Sequence, residues 1–176
     1  NESDLVHEHP DWYVRDDHGN IVHPGAVDPD NAANVTVWGD LAEINNECSP
    51  DKEGLWRYWA ELVRRSQDLG FMGFRCDAAY KVPADLWRFL ITEAKRRDPA
   101  AVFFAETLGS SFEETLALKD AGFDFFFNSS KWWNFDETWA LEQHEQFGRY
   151  APSISFPETH DTERIAAESG ASEAVQ

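Results

Sequence analysis

Gly73-Phe-Arg-Cys-Asp-Ala-Ala-Tyr-Lys-Val-Pro83 is a short apolar approach that ends in an arginine and an aspartate two positions apart. On a β-strand, residues two apart share a face, so Arg75 and Asp77 point one way while Phe74 and Cys76 point the other. A guanidinium beside a carboxylate keeps it ionised and fixes its orientation, which a carboxylate nucleophile requires. Upstream, Leu55, Trp59, Leu62, Val63 and Leu69 follow helical spacing with Gly70 as a stop, so a strand is expected over Phe71 to Asp77. Downstream, Pro83 opens a helix whose apolar face is Leu86, Phe89, Leu90 and Ala94, closed by Asp98-Pro99. A second strand, Ala101 to Glu106, follows at once.

The same alternation continues. Ser110 or Ser111 with Glu113 or Glu114 three residues on reads as a capping box opening a helix to about Asp120. Phe123 to Phe127 is a third strand, Phe135 to about Gln146 a helix, Ser153 to Phe156 a fourth short strand, and a further helix begins from Thr162. Near-continuous apolar strands alternating with helices indicate a parallel sheet buried on both faces, either doubly wound or a (β/α)8 TIM barrel. Asp77, Glu106 and Asp161 favour the barrel, because each falls at or just beyond the C-terminal end of a strand, where barrel active sites converge. No glycine-rich phosphate loop of the dinucleotide or P-loop type occurs.

Composition narrows the function. The 176 residues are 42% hydrophobic with eight Trp and thirteen Phe, enough for a folded core. With 15 Lys and Arg against 33 Asp and Glu, the formal charge is −18, which leaves nucleic acid and anionic membrane as poor partners. Neutral sugars are compatible with it. Cys48 and Cys76 do not make a disulfide framework, and no segment has the apolar centre of a signal peptide, so a reducing, cytoplasmic setting is the expectation. The absence of an initiator Met reads as a fragment whose native start lies elsewhere. Residues 1 to 50 show little periodicity and many turn-formers, with Val35 to Trp38 as a possible strand; they read as a loop or insertion region, and 51 to 176 as a partial barrel, within one catalytic domain. His7, His9, His18 and His23 lack metal-ligand spacing and read as surface histidines, so no metal site is assigned.

Retaining cleavage of a glycosidic bond needs two carboxyl groups about 5 to 5.5 Å apart, one ionised to attack and one protonated to release the leaving oxygen. Asp77 and Glu106 end consecutive strands and sit in different surroundings: Asp77 beside Arg75, Glu106 after the apolar run Val102 to Ala105. That asymmetry makes Asp77 the nucleophile and Glu106 the acid.

Gly73-Phe-Arg-Cys-Asp77-Ala-Ala with Pro83 resembles the nucleophile strand of the α-amylase family, glycoside hydrolase family 13. In sequence order, Phe103-Phe-Ala-Glu106-Thr resembles that family's acid/base segment, and Phe156-Pro-Glu-Thr-His160-Asp161 its segment ending in Asn-His-Asp. The resemblance implies Asp77 as nucleophile, Glu106 as general acid/base and Asp161 as the aspartate that grips sugar hydroxyls and stabilises the transition state. It also implies Arg75 orienting Asp77 and His160 bonding the sugar; apart from the resemblance, Tyr80, Lys81, Lys131 and Trp132, at loop ends beside the barrel mouth, are further substrate-binding candidates. His9 to Trp12 and Trp38 to Asn45 resemble segments around the family's first and Asp-Leu-Asn motifs. Thr159 replaces the usual Asn, and Ala79-Tyr80-Lys81 replaces Ala-Ala-Lys-His. On this resemblance the chain carries about barrel strands 4 to 7, without the remaining strands and the C-terminal β-domain, and as an isolated piece it is expected to be inactive. The implied substrate is an α-1,4-glucan or maltooligosaccharide, with a Ca2+ ion possible in the full-length protein and no other cofactor.

Hydrolysis and glucanosyl transfer share one covalent intermediate, and these motifs do not separate them. A non-catalytic barrel that binds a partner is the alternative of another class, against which the retained Asp77, Glu106 and Asp161 argue. A metal hydrolase built on Glu106, His160 and Asp161 would need further strand-end histidines, and the strands carrying Asp77 and Glu106 have none. Cys76 reads as a packed thiol lacking a partner base. Among the aromatic residues Phe125 to Phe127, Trp132 and Trp133, most read as core, with Trp132 or Trp133 offered as a sugar platform.

Overall fold

The computed structural model describes residues 3–28, 31–168 and 170. Its elements in chain order are α1 (Asp4–Glu8), β1 (Gly25–Asp28), β2 (Asn31–Val37), α2 (Lys52–Asp68), β3 (Gly73–Cys76), α3 (Ala84–Arg97) and β4 (Val102–Glu106). They continue with α4 (Phe112–Ala117), β5 (Phe125–Phe127), α5 (Trp139–Phe147), β6 (Ser153–Ile154) and α6 (Ile165–Glu168). Strands β3, β4, β5 and β6 lie side by side in that order, all parallel. This is four strands of an incomplete (β/α)8 barrel, the expected α/β class.

The sheet has two unlike faces because the side-chain period is two. Cys76, Phe103, Ala105 and Phe126 point toward the helices and are buried with Ile91 and Ala94 of α3, Leu118 after α4 and Phe147 of α5. The other face carries Arg75, Phe104, Phe125 and Phe127, in register across β3, β4 and β5. Phe104 stacks on Phe125 with ring centroids 5.3 Å apart, and Phe127 meets Phe156 edge-on at 6.0 Å. These rings are only half-buried, since this face is the barrel interior and four strands do not close around it.

Local chemistry sets the helix ends. Asp51 caps α2 by accepting the Gly54 N–H at 3.1 Å, and Gly70, at φ +92°, takes the left-handed turn that ends it. Of the capping-box alternatives, Ser111 with Glu114 is the pair that forms: Ser111 Oγ accepts the Glu114 N–H at 3.2 Å and Glu114 Oε2 accepts the Ser111 N–H at 2.8 Å. Helices α2 and α3 are tied by Gln67 Nε2 donating to the Ala94 carbonyl at 3.0 Å and by the Arg97–Asp68 ion pair.

The segment before α2 docks through a second cluster of its own. Val6, Trp12 and Tyr13 are buried against Leu55, with Trp56, Tyr58 and Trp59 around them. Trp56 Nε1 donates to the Asn46 carbonyl at 2.9 Å and Trp59 Nε1 to Asn46 Oδ1 at 3.0 Å, so each indole N–H is satisfied as it leaves water. Beyond this cluster, β1 and β2 form an antiparallel hairpin arm, and β2 includes Val35 to Val37 of the expected strand. His9 stacks on Trp12 with centroids 3.7 Å apart, and His23 Nδ1 lies 2.5 Å from the Leu41 carbonyl. Among the described residues no group of three or more His, Cys, Asp or Glu side chains is placed to hold a metal ion, and no helix is long and apolar enough to cross a membrane.

Candidate active site

The register of β3 against β4 pairs Arg75 with Phe104 and Cys76 with Ala105. Asp77 follows in the turn directly after β3, and Glu106 is the last residue of β4. Their surroundings differ as their neighbours in sequence imply. The Asp77 side chain is 76% exposed and paired with the Arg75 guanidinium. Glu106 is 7% exposed, with Oε2 accepting the Ala78 N–H at 2.8 Å and Oε1 accepting the Leu108 N–H at 2.6 Å. Ala78 stands at φ 40° and ψ 47°, the left-handed region that costs a residue with a Cβ about 1–2 kcal/mol. This turn, immediately after Asp77, aims the Ala78 N–H at Glu106.

Arg75, Asp77, Tyr80, Glu106, Trp132 and Asp161 line one cleft of about 560 Å³. Asp161 reaches it from the turn after β6, held by its own N–H donating to Thr159 Oγ1 at 3.1 Å. Its Oδ2 is 3.2 Å from His160 Nε2, and His160 faces an adjoining cleft of about 260 Å³ that shares Arg75 and Glu106. In the same turn Glu158 accepts the Ile165 N–H at 2.9 Å and pairs with Arg164 at 2.5 Å. These two donors, the amide first, hold its carboxyl below the usual range. Burial, and then the charges of Glu106, Glu114 and Asp77, push the Tyr80 hydroxyl up, so Tyr80 meets the cleft as a neutral donor.

Several candidates lie elsewhere. Lys81 Nζ sits over the Tyr80 ring, 5.3 Å from its centroid, and Lys81 does not line the cleft. Lys131 is turned inward onto Glu168 at 2.5 Å. Trp133 donates through Nε1 to Gln143 Oε1 at 2.9 Å and packs against Trp139, which leaves Trp132 as the aromatic of the pair that reaches the cleft. Phe126 is core, while Phe127 lines the adjoining cleft.

The opposite wall was not legible as part of a site. Ala26, Trp38, Asp40 and Leu41 supply it from the hairpin arm and the turn after it. The signal in the sequence is the resemblance of Trp38 to Asn45 to the family's Asp-Leu-Asn segment, which gives Trp38 and Asp40 no role of their own.

No protein-family model matches the chain. It is 28% identical over 165 residues to the alpha-1,4-glucan:maltose-1-phosphate maltosyltransferase of Burkholderia pseudomallei, a match covering 94% of this chain and 14% of that protein. It is 29% identical over 99 residues to the enzyme of the same name from Mycolicibacterium smegmatis, covering 56% of this chain and 13% of that one. Among solved structures it superposes on an alpha-amylase from Lactobacillus plantarum with a TM-score of 0.67 at 23% identity, covering 94% of this chain and 41% of that one. The cyclic alpha-maltosyl-(1→6)-maltose hydrolase of Arthrobacter globiformis, in complex with maltose, gives 0.62 at 18% identity, covering 97% and 41%. The chain thus spans about one seventh of the curated relatives and two fifths of the solved chains. Sequence relatives, barrel strands and the ordered Asp77, Glu106 and His160-Asp161 segments agree with the resemblance to the α-amylase family, glycoside hydrolase family 13, over part of its catalytic barrel.

Proposed function

We propose that the complete barrel is a retaining enzyme acting on α-1,4-glucosidic bonds of glucans or maltooligosaccharides, with Asp77 and Glu106 as its two catalytic carboxyls. The observation that carries this reading is their place at the ends of β3 and β4, which puts one exposed, arginine-paired carboxylate and one buried carboxyl in a single cleft. Carboxyls carried at the ends of neighbouring strands suit the retaining mechanism, which uses a separation of roughly 5 to 5.5 Å.

In the first half-reaction a carboxylate oxygen of Asp77 attacks the anomeric carbon as the bond to the glycosidic oxygen breaks. The departing oxygen takes the proton of Glu106, so the chain end leaves as an alcohol and the glycosyl group remains as an ester of Asp77. The Glu106 oxygens each accept one amide N–H, and the second lone pair of either can carry that proton. In the second half Glu106 removes a proton from the incoming hydroxyl, whose oxygen displaces Asp77 and restores the original anomeric configuration. Asp161 and His160 hold sugar hydroxyls beside the reacting carbon, and Arg75 orients Asp77. Among the described residues no group of three or more His, Cys, Asp or Glu side chains is placed to hold the Ca2+ ion that the resemblance allows.

If water is the incoming group the enzyme is a hydrolase; if it is a sugar hydroxyl, a transferase. The transferase reading is supported by the names of both curated relatives, which are maltosyltransferases. Incubating the complete barrel enzyme with maltoheptaose, alone and with glucose or maltose, while following products by NMR, tests both. Shorter α-configured products support hydrolysis, and longer oligomers that grow with acceptor support transfer. No turnover of α-glucosides by the folded enzyme overturns the catalytic reading in favour of a binding domain.

A further inference from the structure

Trp38 and Asp40 take no part in the chemistry above, yet they line the same cleft as Asp77 and Glu106. The turn that carries them is closed on itself by backbone bonds. The Trp38 N–H donates to the Pro24 carbonyl at 2.8 Å, the Leu41 N–H donates to the Trp38 carbonyl at 3.0 Å, and the Glu43 N–H donates to the Val22 carbonyl at 2.9 Å. The arm therefore presents Trp38 from a defined turn. From the barrel side, Trp132 stands 52% exposed in the short helical turn after β5. Trp38 is half-buried, and among the described residues neither indole stacks on another aromatic ring.

A glucose ring has an apolar face of C–H bonds and a rim of hydroxyls; an indole matches the first and a carboxylate the second. The charge of the cleft points the same way. Among the described residues that line it, Asp40, Asp77, Glu106 and Asp161 face one Lys or Arg, Arg75, already engaged by Asp77. Such a lining accepts an uncharged polyol. We propose that the hairpin arm is a specificity element for the length of the sugar chain: Trp38 stacks on one ring of a bound maltooligosaccharide and Asp40 accepts that ring's hydroxyls, while Trp132 serves a different ring. This rests on the α-glucan reading.

The test uses the complete enzyme carrying Asp77→Asn, which holds substrate without turning it over, and measures maltoheptaose binding by calorimetry. Adding Trp38→Ala weakens binding about tenfold, the loss expected for one stacked ring, and Trp38→Phe recovers most of it. Adding Asp40→Asn weakens it about fivefold. In the active enzyme, Trp38→Ala raises KM for maltoheptaose with a much smaller change in kcat, and the penalty on kcat/KM exceeds that for a 4-nitrophenyl α-glucoside by about tenfold. Binding of maltoheptaose that is equal with and without Trp38 overturns the proposal, as does an equal penalty on the long and the short substrate, which marks a framework role. Failure of the Asp77→Asn enzyme itself to bind maltoheptaose overturns the glucan reading on which the proposal stands.

Discussion

The Ala78 amide donates to Glu106 Oε2 at 2.8 Å across the β3–β4 boundary, so the residue directly after one catalytic candidate is fastened to the side chain of the other. The bond fixes the relation between Asp77 and Glu106, and it offsets the left-handed backbone of Ala78 that it requires. Glu106→Gln keeps a carbonyl acceptor for one of the two amides, whereas Glu106→Ala removes the acceptor of both half-buried donors. The expected result is a loss of about 2–4 kcal/mol of stability for Glu106→Ala and about half that for Glu106→Gln. Both lose general acid/base catalysis, about 10²- to 10⁴-fold in kcat. Urea unfolding alongside initial rates separates the two effects.

Asp77→Asn is expected to behave in the opposite way. Its pair with Arg75 is largely open to water, so the substitution changes stability by less than about 1 kcal/mol. Turnover falls by at least about 10⁴-fold because the nucleophile is gone. A variant with wild-type-like rates removes Asp77 from the mechanism.

The acidic lining of the cleft predicts poor use of an anionic donor, in contrast to the maltose 1-phosphate in the names of the curated relatives. A phosphate brought toward Asp40, Asp77 and Asp161 meets like charge, which costs several kcal/mol at close range. The complete enzyme is expected to show kcat/KM for maltose 1-phosphate about a hundredfold or more below that for maltotriose. Comparable values for the two substrates contradict this.

Asn128 is fully buried at the end of β5, where Nδ2 donates to Ser153 Oγ at 3.1 Å and Ser155 Oγ at 2.9 Å while Oδ1 accepts the Ser130 N–H at 3.1 Å. Asn128→Ala strands the Ser130 amide and is expected to destabilise by about 2 kcal/mol. Asn128→Asp costs less, because both serine hydroxyls can turn to donate to the new oxygen. Denaturant midpoints of the two variants check the order.

Burial pushes the Cys76 thiol up to about 12, while Cys48 is exposed. In the folded protein a thiol reagent at pH 8 is expected to modify Cys48 alone, with Cys76 following only in denaturant. An unfolded chain loses the Cys76 proton near its ordinary value of 9.0, whereas the folded chain keeps it to about 12. The folded state therefore binds more protons in that window, and this group's contribution to stability falls as pH rises from about 9 to 12. Replacing Cys76 with Ala flattens the pH dependence measured there.

The order and type of the barrel elements were readable from periodicity, because each strand is an apolar run and each helix has one apolar face. Their ends were not, since side chains compete for the backbone there. Helix α5 starts at Trp139 instead of Phe135 because Asn134 takes the Asp136 N–H on Oδ1 and the Glu137 N–H on its carbonyl, making a turn. Strand β6 stops at Ile154, two residues short of Phe156, because Ser130 Oγ both donates to the Phe156 carbonyl and accepts the Phe156 N–H. Strand β5 begins after Asp124, whose carboxylate accepts the Phe103 N–H at 2.8 Å and pairs with Lys95 at 2.7 Å.

By itself the sequence determined the parallel α/β class, the strand-end carboxylates and the pairing of Arg75 with Asp77, all of which follow from the period of a strand and from neighbours within a few residues. Tertiary structure alone decided that Glu106 is clamped by the Ala78 and Leu108 amides, that Trp132 reaches the cleft while Trp133 and Lys131 do not, and that Trp38 and Asp40 form its far wall. These depend on strand register and on where a long aperiodic segment docks. Both are set by side chains distant in the chain meeting in the core, which no local pattern encodes.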